Sequence, residues 1–136
     1  MRFVDTNVLL YAVSGVAASE RKRERALGIL DERDLGLSVQ VLQEFYVQAT
    51  RASRPDRLDP DDAWALVESF VVRYPVQETT VDLIRAAWVG SGRYRISYWD
   101  AAIIEAARLL GCAELLSEDL SHGQDYSGVK VVNPFL

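Results

Sequence analysis

The sequence is poor in the residues that build disulfide-linked or zinc-binding domains. It contains one cysteine, Cys112, and one histidine, His122, among 136 residues. A single cysteine excludes an intramolecular disulfide, and a zinc site would have to be completed by carboxylates. We therefore expect Cys112 to be buried and unreactive, in a protein of a reducing, cytoplasmic compartment.

Long hydrophobic runs are also absent. The longest, Val8–Val13, is far shorter than the ~20 residues that span a bilayer, and Asp5 interrupts any signal-peptide core. Hydrophobic residues make up 49% of the chain and charged residues 26%, as in ordinary globular proteins. The expectation is one soluble domain, residues 1–136, that is neither secreted nor bound to a membrane.

Lysine is scarce, because only Lys22 and Lys130 accompany the arginines among the 15 basic residues. The net charge of −5 disfavours a simple basic nucleic-acid binder. The planar guanidinium group nevertheless suits phosphate. The arginine-rich stretches 21–25, 51–57 and 93–95 are therefore either solvated helix surfaces or anion contacts.

Short apolar segments alternate with helical patterns along the chain. Strands are predicted at 1–4, 35–37, 75–77, 114–116 and 129–132. Helices are predicted at 7–13, 19–33, 39–52, 59–73 and 97–110, with one more beginning at Thr79 or Thr80. This alternation predicts a three-layer α/β/α domain with a short-stranded parallel central sheet. The three tryptophans fall in helical patterns and are expected in the core.

Four acidic residues carry the candidate chemistry: Asp5, Glu44, Asp100 and Asp119. Three of them follow predicted strands, and ligands of open parallel sheets bind at the carboxyl ends of the strands. Asp100 joins them if its helix begins at the same edge. Clustered carboxylates need cations, and such hard oxygen ligands select Mg²⁺ or Mn²⁺. These ions can activate water and neutralise a phosphodiester, which is nuclease chemistry.

Each acid also has a purely structural explanation. Asp5 can cap the helix that follows it, and Ser97 and Asp100 have the spacing of a capping box. Glu44 can lie on a solvated helix face, and 117–119 can be a polar turn. The four positions are therefore more informative together than singly.

The segments around these acids resemble the motifs of PIN-domain nucleases. They are Phe3–Tyr11 (FVDTNVLLY), Ser38–Phe45 (SVQVLQEF), Ser97–Ile103 (SYWDAAI) and Leu115–Leu120 (LLSEDL). Their order and spacing match over all 136 residues. The chain is most similar to the VapC-type toxins of prokaryotic toxin–antitoxin pairs.

The resemblance implies an endoribonuclease that depends on Mg²⁺ or Mn²⁺ and hydrolyses RNA with metal-activated water. It implies that Asp5 and Asp100 are the principal metal ligands and that Glu44 is a ligand or positions the water. It also implies that Asp119 completes the acidic site. Supporting polar positions are Thr6, Asn7 and Ser117. Glu118 and Asp125 lie close enough to Asp119 in sequence that either can share its role.

The resemblance further implies a homodimer and a cognate antitoxin protein whose C-terminal segment covers the acidic groove. Because an acidic pocket repels RNA, arginines at its rim are candidates for contacts with flanking phosphates. These candidates are Arg51, Arg54, Arg93 and Arg95.

Two other readings remain open from the sequence. A haloacid-dehalogenase-like phosphatase would also place an Asp after the first strand, but it needs a second Asp where Asn7 stands. It also needs a supporting Lys, and neither lysine lies beside a candidate motif. A catalytically inert protein-binding domain is the third reading, and it predicts no stabilisation by Mn²⁺.

Overall fold

A computed structural model describes all 136 residues. Five strands form one parallel sheet in the order β3-β2-β1-β4-β5. The strands are β1 Arg2–Val4, β2 Leu35–Ser38, β3 Val76–Gln77, β4 Glu114–Leu116 and β5 Lys130–Val132. The chain builds outward from β1 to β3 and then continues on the other side of β1. The strand order therefore reverses between β1 and β4, where open sheets form ligand sites.

Six helices surround the sheet, and the predicted α/β class is confirmed. They are α1 Thr6–Ala12, α2 Glu20–Leu30, α3 Val39–Ala49, α4 Pro60–Arg73, α5 Val81–Tyr94 and α6 Tyr98–Leu109. The helix α2 ends earlier than the predicted Arg33, because the chain must already turn into β2, where the carbonyl of Asp34 accepts from the Arg2 amide. None of these helices is long and apolar enough to cross a membrane.

Side-chain caps fix the beginnings of most helices. Ser38, Thr80 and Ser97 each accept a hydrogen bond from the backbone amide three residues later, at 3.2, 3.1 and 3.0 Å. Thr80, and not Thr79, is therefore the cap of α5. Ser19 precedes α2 but makes no capping hydrogen bond with its side chain. At the other end of α6, Gly111 adopts φ +77°, which a glycine reaches without a steric penalty.

The core contains 30 buried hydrophobic residues, and Phe3 and Val4 of β1 are completely buried at its centre. Cys112 is buried as predicted, and burial raises the pKa of its thiol to about 11, which keeps it protonated and unreactive. The prediction that the tryptophans lie in the core is wrong. Trp64, Trp88 and Trp99 are 54%, 74% and 64% exposed.

In α5 and α6, the faces that pack against the core consist of residues smaller than tryptophan. In α5 the buried positions are Leu83, Ala87 and Gly90, so Trp88 lies one residue beyond the buried stripe. In α6 the buried stretch begins at Ala101. A helical pattern located the tryptophans in helices, but it did not say which face of each helix meets the sheet.

Candidate active site

An open cleft of about 450 Å³ lies beside the carboxyl ends of β1, β2 and β4. All four acids singled out in the sequence line it: Asp5, Glu44, Asp100 and Asp119. The cleft lies at the point where the strand order reverses. The topology thus brings together carboxylates that are up to 114 residues apart in the chain (119 − 5).

Asp5 is the buried centre of the cleft and is only 6% exposed. One carboxylate oxygen accepts from the Thr6 amide at 2.7 Å, and the other accepts from the Ser117 hydroxyl at 2.6 Å. Burial raises the pKa of Asp5 from 3.8 to about 6. The charges of Asp119 and Glu44 also raise this pKa, whereas the two hydrogen bonds lower it. Asp5 therefore both caps α1 and lies in the acidic cluster.

Glu44 is held in the cleft by two neutral donors. The Thr6 hydroxyl donates to Oε2 at 2.8 Å, and the Gln40 amide donates to Oε1 at 3.0 Å. Gln40 is one helical turn before Glu44 in α3, so the two side chains share a face of that helix. Glu44 thus lies on an organised polar surface and not on a solvated face.

Asp119 is connected to Asp5 through the loop that follows β4. The Asn7 amide donates to Asp119 Oδ2 at 3.1 Å, and the backbone amide of Asp119 donates to the Ser117 hydroxyl at 3.1 Å. The same hydroxyl donates to Asp5. The three supporting residues expected from the sequence, Thr6, Asn7 and Ser117, therefore each contact one or two of the acids.

Asp100 lines the cleft but lies outside this hydrogen-bonded network. Its backbone amide is capped by Ser97, and its carboxylate accepts no hydrogen bond and forms no ion pair. Tyr126 has a raised pKa, first because of burial and second because of the charge of Asp100. Asp100 is thus a free carboxylate at the wall of the cleft.

Glu118 and Asp119 are adjacent in sequence, but their side chains have different partners. Glu118 forms an ion pair with Lys22 at 2.9 Å and accepts from the Tyr11 hydroxyl at 2.5 Å. Its charge is therefore compensated, although it also lines the cleft. Asp125 accepts from the Gly128 amide and does not line the cleft. The geometry favours Asp119 over both as the partner of Asp5.

Comparison with known families identifies the domain that contains this cleft. A family model of the PIN domain matches residues 2–123. The chain belongs to the PIN-domain family. A comparison with curated protein sequences returned no match. The family assignment replaces the haloacid-dehalogenase reading.

Several solved structures share this fold at low sequence identity. The Mycobacterium tuberculosis toxin VapC20, which cleaves the sarcin–ricin loop, is 20% identical with a TM-score of 0.65, covering 88% of this chain and 92% of that one. A toxin–antitoxin complex from Klebsiella pneumoniae is 20% identical with a TM-score of 0.69, covering 98% of both chains. FitAcB from Neisseria gonorrhoeae is 17% identical with a TM-score of 0.61, covering 99% of both.

The four arginines proposed to contact RNA lie in different places on this PIN domain. Arg54 lines the cleft, where it forms an ion pair with Asp56 at 2.9 Å. Arg51, Arg93 and Arg95 are exposed and do not line the cleft. Arg93 lies over the ring of Tyr94, 5.5 Å from its centroid. Their contacts with phosphate remain predictions.

Several residues of the cleft are not among the candidates that the sequence motifs indicated. Gln40, Asp56 and Trp99 all line it. Gln40 was detectable, because its spacing of four residues from Glu44 predicts contact on one helix face. The sequence contains no comparable signal for Asp56, because it reaches the cleft from the connection between α3 and α4.

The oxygen atoms that line the PIN-domain cleft are suitable ligands for a hard cation, although the acids are not arranged as a complete coordination site. No group of three or more acidic, histidine or cysteine side chains is arranged to hold a metal ion. The buried Oδ1 atom of Asn7 has no hydrogen-bond partner. This orphaned oxygen and the surrounding carboxylates suit Mg²⁺ or Mn²⁺, which prefer oxygen ligands.

Proposed function

We propose that this PIN domain is a metal-dependent endoribonuclease and the toxin of a toxin–antitoxin pair. The observation that carries the proposal is the linked arrangement of Asp5, Glu44 and Asp119. In the cleft at the strand-order reversal, Thr6 donates to the carboxylates of Asp5 and Glu44, and Ser117 donates to Asp5 and accepts from the backbone amide of Asp119. The Asn7 amide donates to the Asp119 carboxylate. Family membership and the fold shared with VapC20 support the reaction class.

Four acids of the cleft would hold Mg²⁺ or Mn²⁺, which prefer carboxylate oxygens: Asp5, Glu44, Asp100 and Asp119. When bound, such a cation supplies neutralisation of phosphodiester charge and a lowered pKa for water. Burial raises the pKa of Asp5, and the positive charge of a bound cation would lower it again, so Asp5 would lose its proton more readily. Glu44 remains oriented by Thr6 and Gln40, so its carboxylate is available to align the attacking water with the phosphate.

The supporting residues orient the acids without adding charge. Ser117, Asn7 and Thr6 contribute only neutral hydrogen-bond donors to these carboxylates. A lysine in any of these places would neutralise an acid and reduce its affinity for a cation. The polar shell therefore fixes side-chain orientation while it preserves the negative charge, as outer-shell groups do in metal sites.

Structural neighbours of this chain support the proposed antitoxin partner. Those neighbours include a VapBC complex from Salmonella typhimurium bound to DNA and a FitAB complex bound to an IR36 DNA fragment. By analogy with these complexes we assign this chain a cognate antitoxin protein. The homodimeric state, the RNA substrate and the cytoplasmic location are proposed from the resemblance of its motifs to those of VapC-type toxins.

The test is a cleavage assay on total RNA with Mg²⁺ or Mn²⁺, comparing the wild type with Asp5→Asn and Asp100→Asn. Asp62→Asn is the matched control, because Asp62 is an exposed acid of α4 outside the cleft. We expect metal-dependent fragments from the wild type and Asp62→Asn, and none from the other two variants. Equal cleavage by all four proteins would indicate a contaminating nuclease and refute the assigned site.

A thermal melt gives a second readout that does not depend on activity. Mn²⁺ should raise the melting temperature of the wild type and of Asp62→Asn, because binding to the folded state stabilises it. The increase should be smaller for Asp5→Asn. An inert binding domain predicts no response to Mn²⁺ in any of these proteins, so a flat result together with absent cleavage would favour that reading.

A further inference from the structure

Trp99 is an exposed tryptophan in the wall of the acidic cleft. Its side chain is 64% exposed, although tryptophan is highly buried on average. It directly precedes Asp100, and both residues line the cleft together with Asp5 and Glu44. Burial in the core therefore does not explain an indole at this position.

The position of Trp99 is fixed even though the ring is open to solvent. Its ring packs against Tyr98 in an edge-to-face arrangement, with centroids 5.1 Å apart and an interplanar angle of 78°. Gln40 donates to the carbonyl of Trp99 at 3.3 Å and to Glu44 at 3.0 Å. One amide thus connects the backbone of Trp99 to a carboxylate of the cleft.

Because the cleft is negatively charged, a contact that does not depend on a cationic side chain would contribute to the affinity for RNA. Its acidic lining residues are Asp5, Glu44, Asp56, Asp100, Glu118 and Asp119. Arg54 is the one basic residue of the lining, and it is paired with Asp56. Cationic side chains of the cleft therefore offer little affinity for RNA. Stacking of a nucleobase on an aromatic ring needs no positive charge.

We propose that Trp99 is a stacking platform for one unpaired nucleobase of the RNA, a proposal that rests on the nuclease function proposed above. The base stacks on the open face of the indole, which places its flanking phosphate beside the carboxylates. A base in a continuous duplex is covered on both faces by its neighbours. The substrate class is therefore single-stranded or looped RNA, in which bases can be turned outward.

The first test measures binding of a fluorescein-labelled, twelve-nucleotide oligoadenylate by fluorescence anisotropy. All proteins carry Asp100→Asn, so that the RNA stays intact. Trp99→Leu should weaken binding by about 5- to 150-fold, the range expected for loss of one stacked base. Trp99→Phe should retain most of the affinity, because it keeps an aromatic face.

Trp88→Leu is the matched control for these variants. Trp88 is 74% exposed in α5 and does not line the cleft. It should bind like the parent protein, and an abasic ribose-phosphate oligomer should bind Trp99→Leu and the parent equally. The proposal is overturned if Trp99→Leu binds oligoadenylate like the parent, or if Trp88→Leu loses as much affinity as Trp99→Leu.

Cleavage of total RNA, measured in parallel with Asp100 intact, separates this proposal from the nuclease function. Cleavage that is unaffected by Trp99→Leu would overturn the stacking platform and leave the nuclease in place. Trp99-dependent binding by a protein that cleaves no RNA would overturn the nuclease and retain a base-binding cleft. Circular dichroism and thermal melts verify that each variant folds, which the exposure of both tryptophans leads us to expect.

Discussion

Replacing Asp5 with Asn should stabilise the cation-free protein at neutral and alkaline pH, although we expect the same change to abolish the proposed cleavage. Burial raises the pKa of Asp5 to about 6, against an ordinary value of 3.8. Above pH 3.8 the unfolded chain loses this proton, whereas the folded protein keeps it until about pH 6. Stability therefore falls as the pH rises through this window and stays lower above it.

The size of the effect follows from the shift. A difference of about 2 pKa units at 1.36 kcal/mol per unit corresponds to about 3 kcal/mol. Asn imitates the protonated acid, because its oxygen can accept from the Thr6 amide and its NH₂ group can donate to the Ser117 hydroxyl. An unfolding entropy of about 0.3 kcal/mol/K for a chain of this length converts this energy into roughly 10 °C of melting temperature.

The assay is thermal unfolding in EDTA from pH 4 to pH 8, followed by circular dichroism. The melting temperatures of Asp5→Asn and the wild type should be close at pH 4 and separate by roughly 10 °C at pH 8, following the shift worked out above. Asp56, whose pKa is lowered, is present in both proteins and cancels in the difference. A variant that is less stable at pH 8, or a gap that does not change with pH, would refute the reasoning.

Three further substitutions test separate parts of the structure. Ser117→Ala removes a completely buried hydroxyl that donates a hydrogen bond to Asp5. We expect urea unfolding to show a loss of about 1–3 kcal/mol in the free energy of unfolding, and NMR titration to show a further rise in the pKa of Asp5. An unchanged pKa would contradict the contact. Gly111→Ala should lower the free energy of unfolding by only about 1 kcal/mol in a thermal melt. The φ of +77° is unfavourable for alanine, but a Cβ atom at this position meets nothing within 4 Å. A loss above about 3 kcal/mol would indicate a steric contact that the structure does not show. Lys22→Gln breaks the ion pair with Glu118, but the Lys22 side chain is 42% exposed, so solvent screens the pair. Urea unfolding should therefore show a loss below about 1 kcal/mol in the free energy of unfolding. A larger loss would mean that solvent screens the pair far less than its exposure implies.

Local chemistry made the elements of this fold predictable from the sequence. Asp59 before Pro60 marks a helix beginning, and the structure starts α4 at Pro60 with Asp59 as its cap. The predicted end of α3 at Ala52 was three residues late. Thr50 ends this helix and donates from its hydroxyl to the Tyr46 carbonyl at 2.7 Å. Helix ends depend on such competing hydrogen bonds, which periodicity does not register.

The candidate site was predictable in outline, because carboxyl ends of parallel strands converge at one edge of a sheet. The pairing of individual side chains was not predictable. Nothing in the order Ser117-Glu118-Asp119 indicates that Lys22, nearly 100 residues earlier, binds Glu118. Likewise, the exposure of Trp99 follows from which face of α6 meets the sheet. Both facts depend on tertiary packing.

The charges of the cleft reveal how the folded chain tolerates so many acids. Glu118 is compensated by Lys22 and Asp56 by Arg54, while the raised pKa of Asp5 brings this buried acid close to protonation. The remaining acids, Glu44, Asp100 and Asp119, have no cationic partner.

The charges of Glu44 and Asp119 raise the pKa of the buried Asp5, and a divalent cation would offset this repulsion. Stability without the cation and affinity for it should therefore change in opposite directions. Asp5→Asn, which removes the acid with the raised pKa, should raise the first and lower the second, as expected where a functional site is maintained at the expense of stability.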